Sequence, residues 1–292
     1  YALCSMPFLA RNPYEGDNFM IQEFFKPQTV AEAVTLKEKY RDEAVFMAGG
    51  TDVNCRDASS AVEKVIGIEQ LALNAISETD KAVLIGAGVT IQDLIDSPKV
   101  PEQLSKAAGH FVNRNIRNMA TIGGNIASNN STSNLIPILV ALDAELKLAG
   151  SDTPVSVYEY ITREMSRLIE SIRILSENLE KPYGIRKFSH TANDISVIVA
   201  AVTLNIRNEI VSNVRVAAGG VSKHVMRLKE LENKLEGNKL PAGTEIEDTV
   251  NKAVSPLKDI RGGVRFKKYL AGVLVSDCIY DAQTGIEKRD AK

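Results

Sequence analysis

Two glycine pairs flanked by short polar residues carry the clearest chemical promise in this chain: Ala48-Gly49-Gly50-Thr51-Asp52 and Thr121-Ile122-Gly123-Gly124-Asn125. Each follows an apolar run and reads as the turn leaving a strand. Glycine admits φ > 0 and lets a ligand come close to the backbone. Successive free N–H groups in such a turn form a concavity that holds anions, phosphates above all. One such turn is ordinary punctuation. Two of them, with Thr51 and Asp52 after one and Asn125 and Ser128 after the other, suggest a pyrophosphate held from two sides. Hydroxyls and the Asn amide can donate to phosphate oxygens. The Asp52 carboxylate only accepts, so it fits ordering the turn or accepting from a hydroxyl. The six polar residues Asn129, Asn130, Ser131, Thr132, Ser133 and Asn134 read equally as a solvated capping loop or as a polar wall along a ribose or ribityl chain. Phe111 reads as helix core or as an aromatic beside a planar ring.

No acid–base constellation accompanies these turns. The sequence has no G-x-S-x-G, no Walker loop and no complete G-x-G-x-x-G, since Gly86-Ala87-Gly88 lacks the third glycine. Ligand-cradling turns without catalytic side chains suggest that a cofactor carries the chemistry. The three cysteines (Cys4, Cys55, Cys278) and three histidines (His110, His190, His224) are dispersed. An iron–sulfur cluster needs about four thiolates at characteristic spacings, so this chain cannot hold one alone, and the site calls for no metal. The scattered thiols read as reduced cysteines of a cytoplasmic protein. With 292 residues, 25% charged and a net charge of −2, nothing draws the chain to nucleic acid. No apolar run approaches the roughly 20 residues that cross a bilayer.

The elements that must position the turns follow from local pattern. Phe24-Phe25 reads as a short strand, and Thr29 caps a helix, with Glu32 placed as in a capping box. Ala44–Ala48 and Lys64–Ile68 read as buried strands of a small α/β lobe. A second unit starts near Lys81 with the strand Val83–Gly88, a helix capped by Thr90 and another over 102–111. It continues with a helix over 135–142, strands over 145–148 and 154–157, and a half-buried strand over 168–174. After about residue 181 the pattern changes. A long apolar run (195–206) and an alternating one (210–216) precede helices over 226–235, 245–256 and 265–280, an α+β arrangement.

The run Arg117–Ala127, containing Thr121-Ile122-Gly123-Gly124-Asn125-Ile126-Ala127, resembles the signature of the FAD-binding subunits of molybdenum hydroxylases, the xanthine dehydrogenase and carbon monoxide dehydrogenase relatives. Ala48–Asp52 resembles their first flavin loop. Arg215–Val221, Asp259-Ile260-Arg261-Gly262 and Tyr269–Leu274 match their C-terminal region, in the same order from about 20 to 280. The run also resembles enterobacterial xanthine dehydrogenase flavin subunits tied to purine catabolism.

The resemblance implies an α+β chain: a two-lobed FAD domain of the PCMH/vanillyl-alcohol-oxidase type, then a C-terminal α+β domain of the CO dehydrogenase flavoprotein type. It divides the chain into an N-terminal extension (1–19), two FAD lobes (20–78 and 79–180), the C-terminal domain (181–285) and a tail (286–292). It places Phe46, Met47, Ala48, Gly49, Gly50, Thr51 and Asp52, with Thr121, Gly123, Gly124, Asn125, Ala127 and Ser128, around the FAD pyrophosphate. Ser133 and Asn134 fall along the sugar chain, where relatives carry Asp at the Asn134 position. Phe111, Leu168 and Ile169 fall by the flavin, and Ser196 stands where some relatives carry Lys. The implied role is an electron relay. A molybdopterin-binding partner subunit oxidises substrate, 2Fe–2S clusters on an iron–sulfur partner subunit pass electrons to this FAD, and NAD⁺ or another acceptor takes them. The alternatives are a self-contained flavin oxidoreductase of the same superfamily and a structural subunit that has lost FAD.

Overall fold

A computed structural model describes residues 21–55, 62–111 and 113–290, with side chains to 285 except at Cys55. The extension expected over 1–19 lies outside them. The first lobe contains β1 (Glu23–Phe25), α1 (Val30–Tyr40), β2 (Ala44–Met47) and β3 (Lys64–Gly67). Its three strands form a parallel sheet in the order β1-β3-β2. Thr29 accepts from Glu32 N at 3.1 Å as expected. The return bond is displaced, since Glu32 accepts from Gln28 N at 2.8 Å and not from Thr29.

The second lobe comprises β4 (Ile76–Glu78), β5 (Ala82–Gly86), α2 (Ile91–Asp96), α3 (Glu102–Gly109), α4 (Arg114–Arg117), α5 (Ile122–Ser128) and α6 (Ile136–Ala141). It ends with β6 (Glu145–Leu148), β7 (Val155–Ser156), α7 (Val157–Thr162) and β8 (Ile169–Leu175). The strands form an antiparallel sheet in the order β4-β5-β8-β6-β7. Because β4 pairs with β5, this lobe begins at Ile76, a few residues before the boundary read from pattern. Thr90 and Asp93 form a reciprocal capping box at α2, which fixes the turn entering it.

The C-terminal domain holds α8 (Ser176–Leu179), β9 (Tyr183–Phe188), β10 (Ile198–Arg207), β11 (Ile210–Gly219), β12 (Met226–Arg227), α9 (Lys229–Leu235), α10 (Gly243–Ala253) and α11 (Val264–Asp290). Its antiparallel sheet runs β12-β11-β10-β9. Val202, Val216, Leu231, Val250 and Val275 close one core between the sheet and the helices. Ala201 and Ala217, on the other face, join the second lobe's core, where Thr203 Oγ1 donates to Ala141 O at 2.7 Å. Cys278, in the core between the C-terminal sheet and helices, is fully buried, and burial pushes its thiol well above the usual value, so it is inert.

The first lobe's core is completed from outside. Ala33, Ala44, Ile66, Ile68 and Leu71 pack with Ala149 and Leu168, which arrive with the second lobe's chain. Ile169, the next residue, belongs to the second lobe's own core.

Candidate functional site

β2 delivers the first glycine pair. Gly50 has φ 69°, the left-handed region that glycine reaches without strain. Asn54 N donates to Gly50 O at 3.0 Å and closes the turn. Among the described residues the N–H groups of Gly49, Gly50, Thr51 and Asp52 have no acceptor. This is the unspent donor set that an anion-binding concavity requires.

The second glycine pair departs from expectation. It does not leave a strand: α4 precedes it, and the glycines lie in the first turn of α5, which Thr121 caps. Its N–H groups are spent. Ile122 N donates to Val89 O (3.0 Å), Gly123 N to Ala87 O (2.9 Å), Gly124 N to Thr121 Oγ1 (3.1 Å) and Asn125 N to Thr121 O (2.9 Å). Helix capping and the crossing over the β5–α2 connection consume the donors expected for phosphate. The second pair instead offers surface. Gly124 and Ala127 are exposed on one face of α5, and a β-carbon at Gly124 would meet only Thr121 Oγ1, at 2.9 Å.

The two pairs meet across the lobes. A β-carbon at Gly49 would fall inside the van der Waals radius of Met119 O, two residues before Thr121. The unspent amides of the first turn therefore lie against the approach to the glycine surface of the second. A dinucleotide diphosphate fits this arrangement: amides to bind it on one side, and bare backbone to admit it on the other.

The polar segment 129–134 is a structured wall. Ser133 Oγ accepts from Leu135 N (3.2 Å) and Ile136 N (3.1 Å) at the start of α6 and donates to Asn125 Oδ1 (2.7 Å). The Asn125 amide nitrogen is left with no partner among the described residues, so it can face a ligand. Asn134, 7% exposed, donates to His110 O (3.1 Å) and accepts from Ser196 Oγ (2.6 Å). The two positions that depart from the resemblance, Asn134 and Ser196, are thus one neutral hydrogen-bonded pair. Ser128 Oγ donates to Asn125 O at 3.0 Å. Phe111 is half-buried against the second lobe's core, and Leu168 and Ile169 are buried at 5% and 3% exposure. Leu168 lies in the first lobe's core and Ile169 in the second's. Phe46 and Ala48 pack against the first lobe's core, and Met47 Sδ lies beside Gly50.

Sequence reasoning passed over the clamp behind this wall. Arg261 pairs with Asp259 (Nη2–Oδ2 2.7 Å) and reaches Thr132 Oγ1 and Ser196 O, each at 3.4 Å. Lys267, 4% exposed, holds the same carboxylate at 2.8 Å. Burial alone would raise the Asp259 pKa. The hydrogen bonds from Lys267 and Arg261 outweigh it and hold the carboxyl below the ordinary 3.8. A carboxyl depressed in the folded state stabilises the protein above its unfolded value, and that contribution is lost as pH falls through the folded value. Asp259→Asn leaves Lys267 buried without its counter-charge and is expected to cost about 3 kcal/mol, read by urea unfolding at pH 7. The loss should shrink in acid, as pH falls through the lowered folded value and the native carboxyl also protonates. A variant as stable as the parent at pH 7 would remove the clamp from the account.

Among the described residues no helix is long and apolar enough to cross a membrane, and no His, Cys, Asp and Glu group could hold a metal ion.

Known proteins resemble this chain along most of its length. Residues 18–177 match the model of the FAD binding domain in molybdopterin dehydrogenase, and residues 184–282 that of the CO dehydrogenase flavoprotein C-terminal domain. The uncharacterized protein YgfM of Escherichia coli (strain K12) is 36% identical over 92% of this chain and 99% of its own length. The carbon monoxide dehydrogenase medium chain of Hydrogenophaga pseudoflava is 26% identical over 87% of this chain and 94% of its own. The solved structure of carbon monoxide dehydrogenase from Hydrogenophaga pseudoflava that lacks the Mo-pyranopterin moiety superposes with a TM-score of 0.82 at 25% identity. That match covers 90% of this chain and 97% of the other.

Proposed function

This chain belongs to the family of FAD-binding subunits of molybdenum hydroxylases, and we propose that it is the electron-transfer flavoprotein of such a complex. The observation that carries the reading is the apposition of the two glycine segments, unspent amides against bare backbone, with Gly49 seated on Met119. FAD, when bound, accepts electrons one at a time and releases them as a pair. The chain's own residues do the rest. The N–H groups of Gly49, Gly50, Thr51 and Asp52 bind the diphosphate. Gly124 and Ala127 leave room for it. The Asn125 amide orients the sugar chain, and the 129–134 wall, braced by Arg261, keeps its shape. Phe111 closes the ring end. Among the described residues at the site none pairs a nucleophile with a base, which suits transfer of electrons and not attack on a substrate.

The finer reading places this FAD between the 2Fe–2S clusters of an iron–sulfur partner and NAD⁺ or another acceptor. A molybdopterin-binding partner then oxidises a purine in the cytoplasm. The dispersed cysteines support that division of labour, and the motif resemblance to xanthine dehydrogenases supports the purine. The purified chain should show the two visible bands of oxidised flavin, and purine alone should not bleach them. A colourless, fully folded preparation would sink the flavoprotein reading. Bleaching by substrate alone would favour a self-contained oxidoreductase. Identification of co-purifying chains tests the partners.

A further inference from the structure

The connection from α10 into the first turns of α11 leaves Leu257, Ile260, Val264, Phe266 and Tyr269 exposed. Single exposed apolar side chains are ordinary, but this many within residues 257–269 make a patch. Its frame is rigid. Asp259 and Gly262 exchange backbone hydrogen bonds (3.3 and 3.2 Å) and close a tight turn. Ile260 stands at the tip of that turn, 82% exposed. The Asp259 carboxylate accepts from Arg261 N at 2.9 Å, from the Arg261 guanidinium at 2.7 Å and from buried Lys267 at 2.8 Å. Lys267 Nζ also donates to Leu257 O at 2.9 Å, and Phe266 is braced edge-on against Phe188, ring centroids 5.9 Å apart. A knob already held in one conformation loses little freedom on docking. The same stretch carries the cations Lys258, Arg261, Arg265, Lys267 and Lys268 against the single carboxylate of Asp259, in a chain whose net charge is −2. The rest of the chain is therefore net acidic. Among the described residues the exposed Lys258 and Arg265 have no ion-pair partner.

An apolar knob ringed by cations fits an apolar socket rimmed by carboxylates. Such a surface is repelled by the acidic remainder of the chain and drawn to this stretch, which selects both the partner and its seat. A second copy does not meet the requirement through this face. A two-fold contact sets the same patch on both sides, and so sets its cations against each other. The turn also leads inward: Arg261, whose guanidinium closes it, reaches Thr132 Oγ1 and Ser196 O in the wall, each at 3.4 Å. A chain seated on Ile260 therefore bears on the wall through one side chain. We propose that the 257–269 knob is the docking surface for a partner subunit of the complex, and that this partner presents an apolar socket with an acidic rim. This rests on the reading above that the chain works within a complex, and adds to it where one partner engages and by what chemistry.

The test separates the FAD-loaded full chain from the iron–sulfur and molybdopterin-binding chains that co-purify with it and measures their reassociation. Ile260→Asp should weaken binding to one of those chains at least about 30-fold, the size of an interface hot spot, with flavin content and melting point unchanged. Lys258→Glu combined with Arg265→Glu should slow association about tenfold at low salt and flatten its salt dependence. Ile210→Asp, at the β10–β11 hairpin, alters another exposed isoleucine and should bind like the parent. An Ile260→Asp chain that reassociates like the parent overturns the docking surface. So does finding that the substitution abolishes self-association of the isolated chain, or its binding to phosphatidylserine vesicles, since the occupant would then be a second copy or a lipid surface. If no iron–sulfur or molybdopterin-binding chain co-purifies with the unsubstituted flavoprotein, the complex reading itself falls, and this proposal with it.

Discussion

Gly49→Ala is expected to empty the site and loosen the joint between the lobes. The added β-carbon has nowhere to go. It collides with the backbone carbonyl of Met119, not with the movable end of a side chain. One lobe must shift, and such overpacking costs about 1–3 kcal/mol and occasionally more. The same shift carries the unspent amides of Gly49–Asp52 away from the glycine surface of α5. FAD affinity should fall at least about 100-fold, equivalent to about 2.7 kcal/mol. Flavin fluorescence titration reads the first effect and a thermal melt of the apoprotein the second. Gly109→Ala is the control, since no atom lies within 4 Å of its added β-carbon. A Gly49→Ala chain that melts like the parent and keeps stoichiometric flavin would dissolve the apposition on which the site is built.

Gly124→Val separates binding from folding. Here the added carbon meets Thr121 Oγ1 at 2.9 Å and nothing else within 4 Å. The exposed face of α5 can carry a branched side chain, and valine's helix propensity is no worse than that of the glycine it replaces. The new methyl groups would stand where the cofactor backbone must pass. FAD affinity should drop by at least about 30-fold, about 2 kcal/mol, while the circular dichroism spectrum and apoprotein melting point stay close to the parent's. Together the two variants give a diagnostic contrast: Gly49 couples cofactor loss to instability, and Gly124 does not. Stoichiometric FAD retained in Gly124→Val would remove α5 from the binding surface.

Much of this was legible in local pattern. Thr29 and Thr90 announced their helices because a hydroxyl before an apolar-periodic run has an orphan N–H to satisfy. The small lobe's strands showed through their buried runs, and the later strands and helices of the C-terminal region showed as a change of pattern. The fold class read from resemblance matches the structure and its neighbours. What stayed hidden depends on distant partners. Val157–Thr162 is helical because Ser156 caps it, accepting from Glu159 N at 3.0 Å, yet its residues continue an apolar strand-like run. The second glycine pair looked like the first because glycine pairs look alike. Only the carbonyls of Ala87 and Val89, far back in the chain, decide that its amides are spent. The clamp of Arg261 on Thr132 and Ser196 joins three segments that no spacing rule connects.

The order in which residues 149–169 serve their neighbours has a practical outcome for anyone dissecting this molecule. Ala149 and Leu168 fill the first lobe from a stretch that otherwise builds the second. That lobe is no detachable cassette: cut off before Ile76, its core around Ile66 and Leu71 would lose the cover of Ala149 and Leu168. Recombinants that exchange the N-terminal seventy-odd residues with a relative's should therefore misfold unless the donor's counterparts of Ala149 and Leu168 travel too. Calorimetry of the intact chain should likewise show the two lobes melting in a single endotherm.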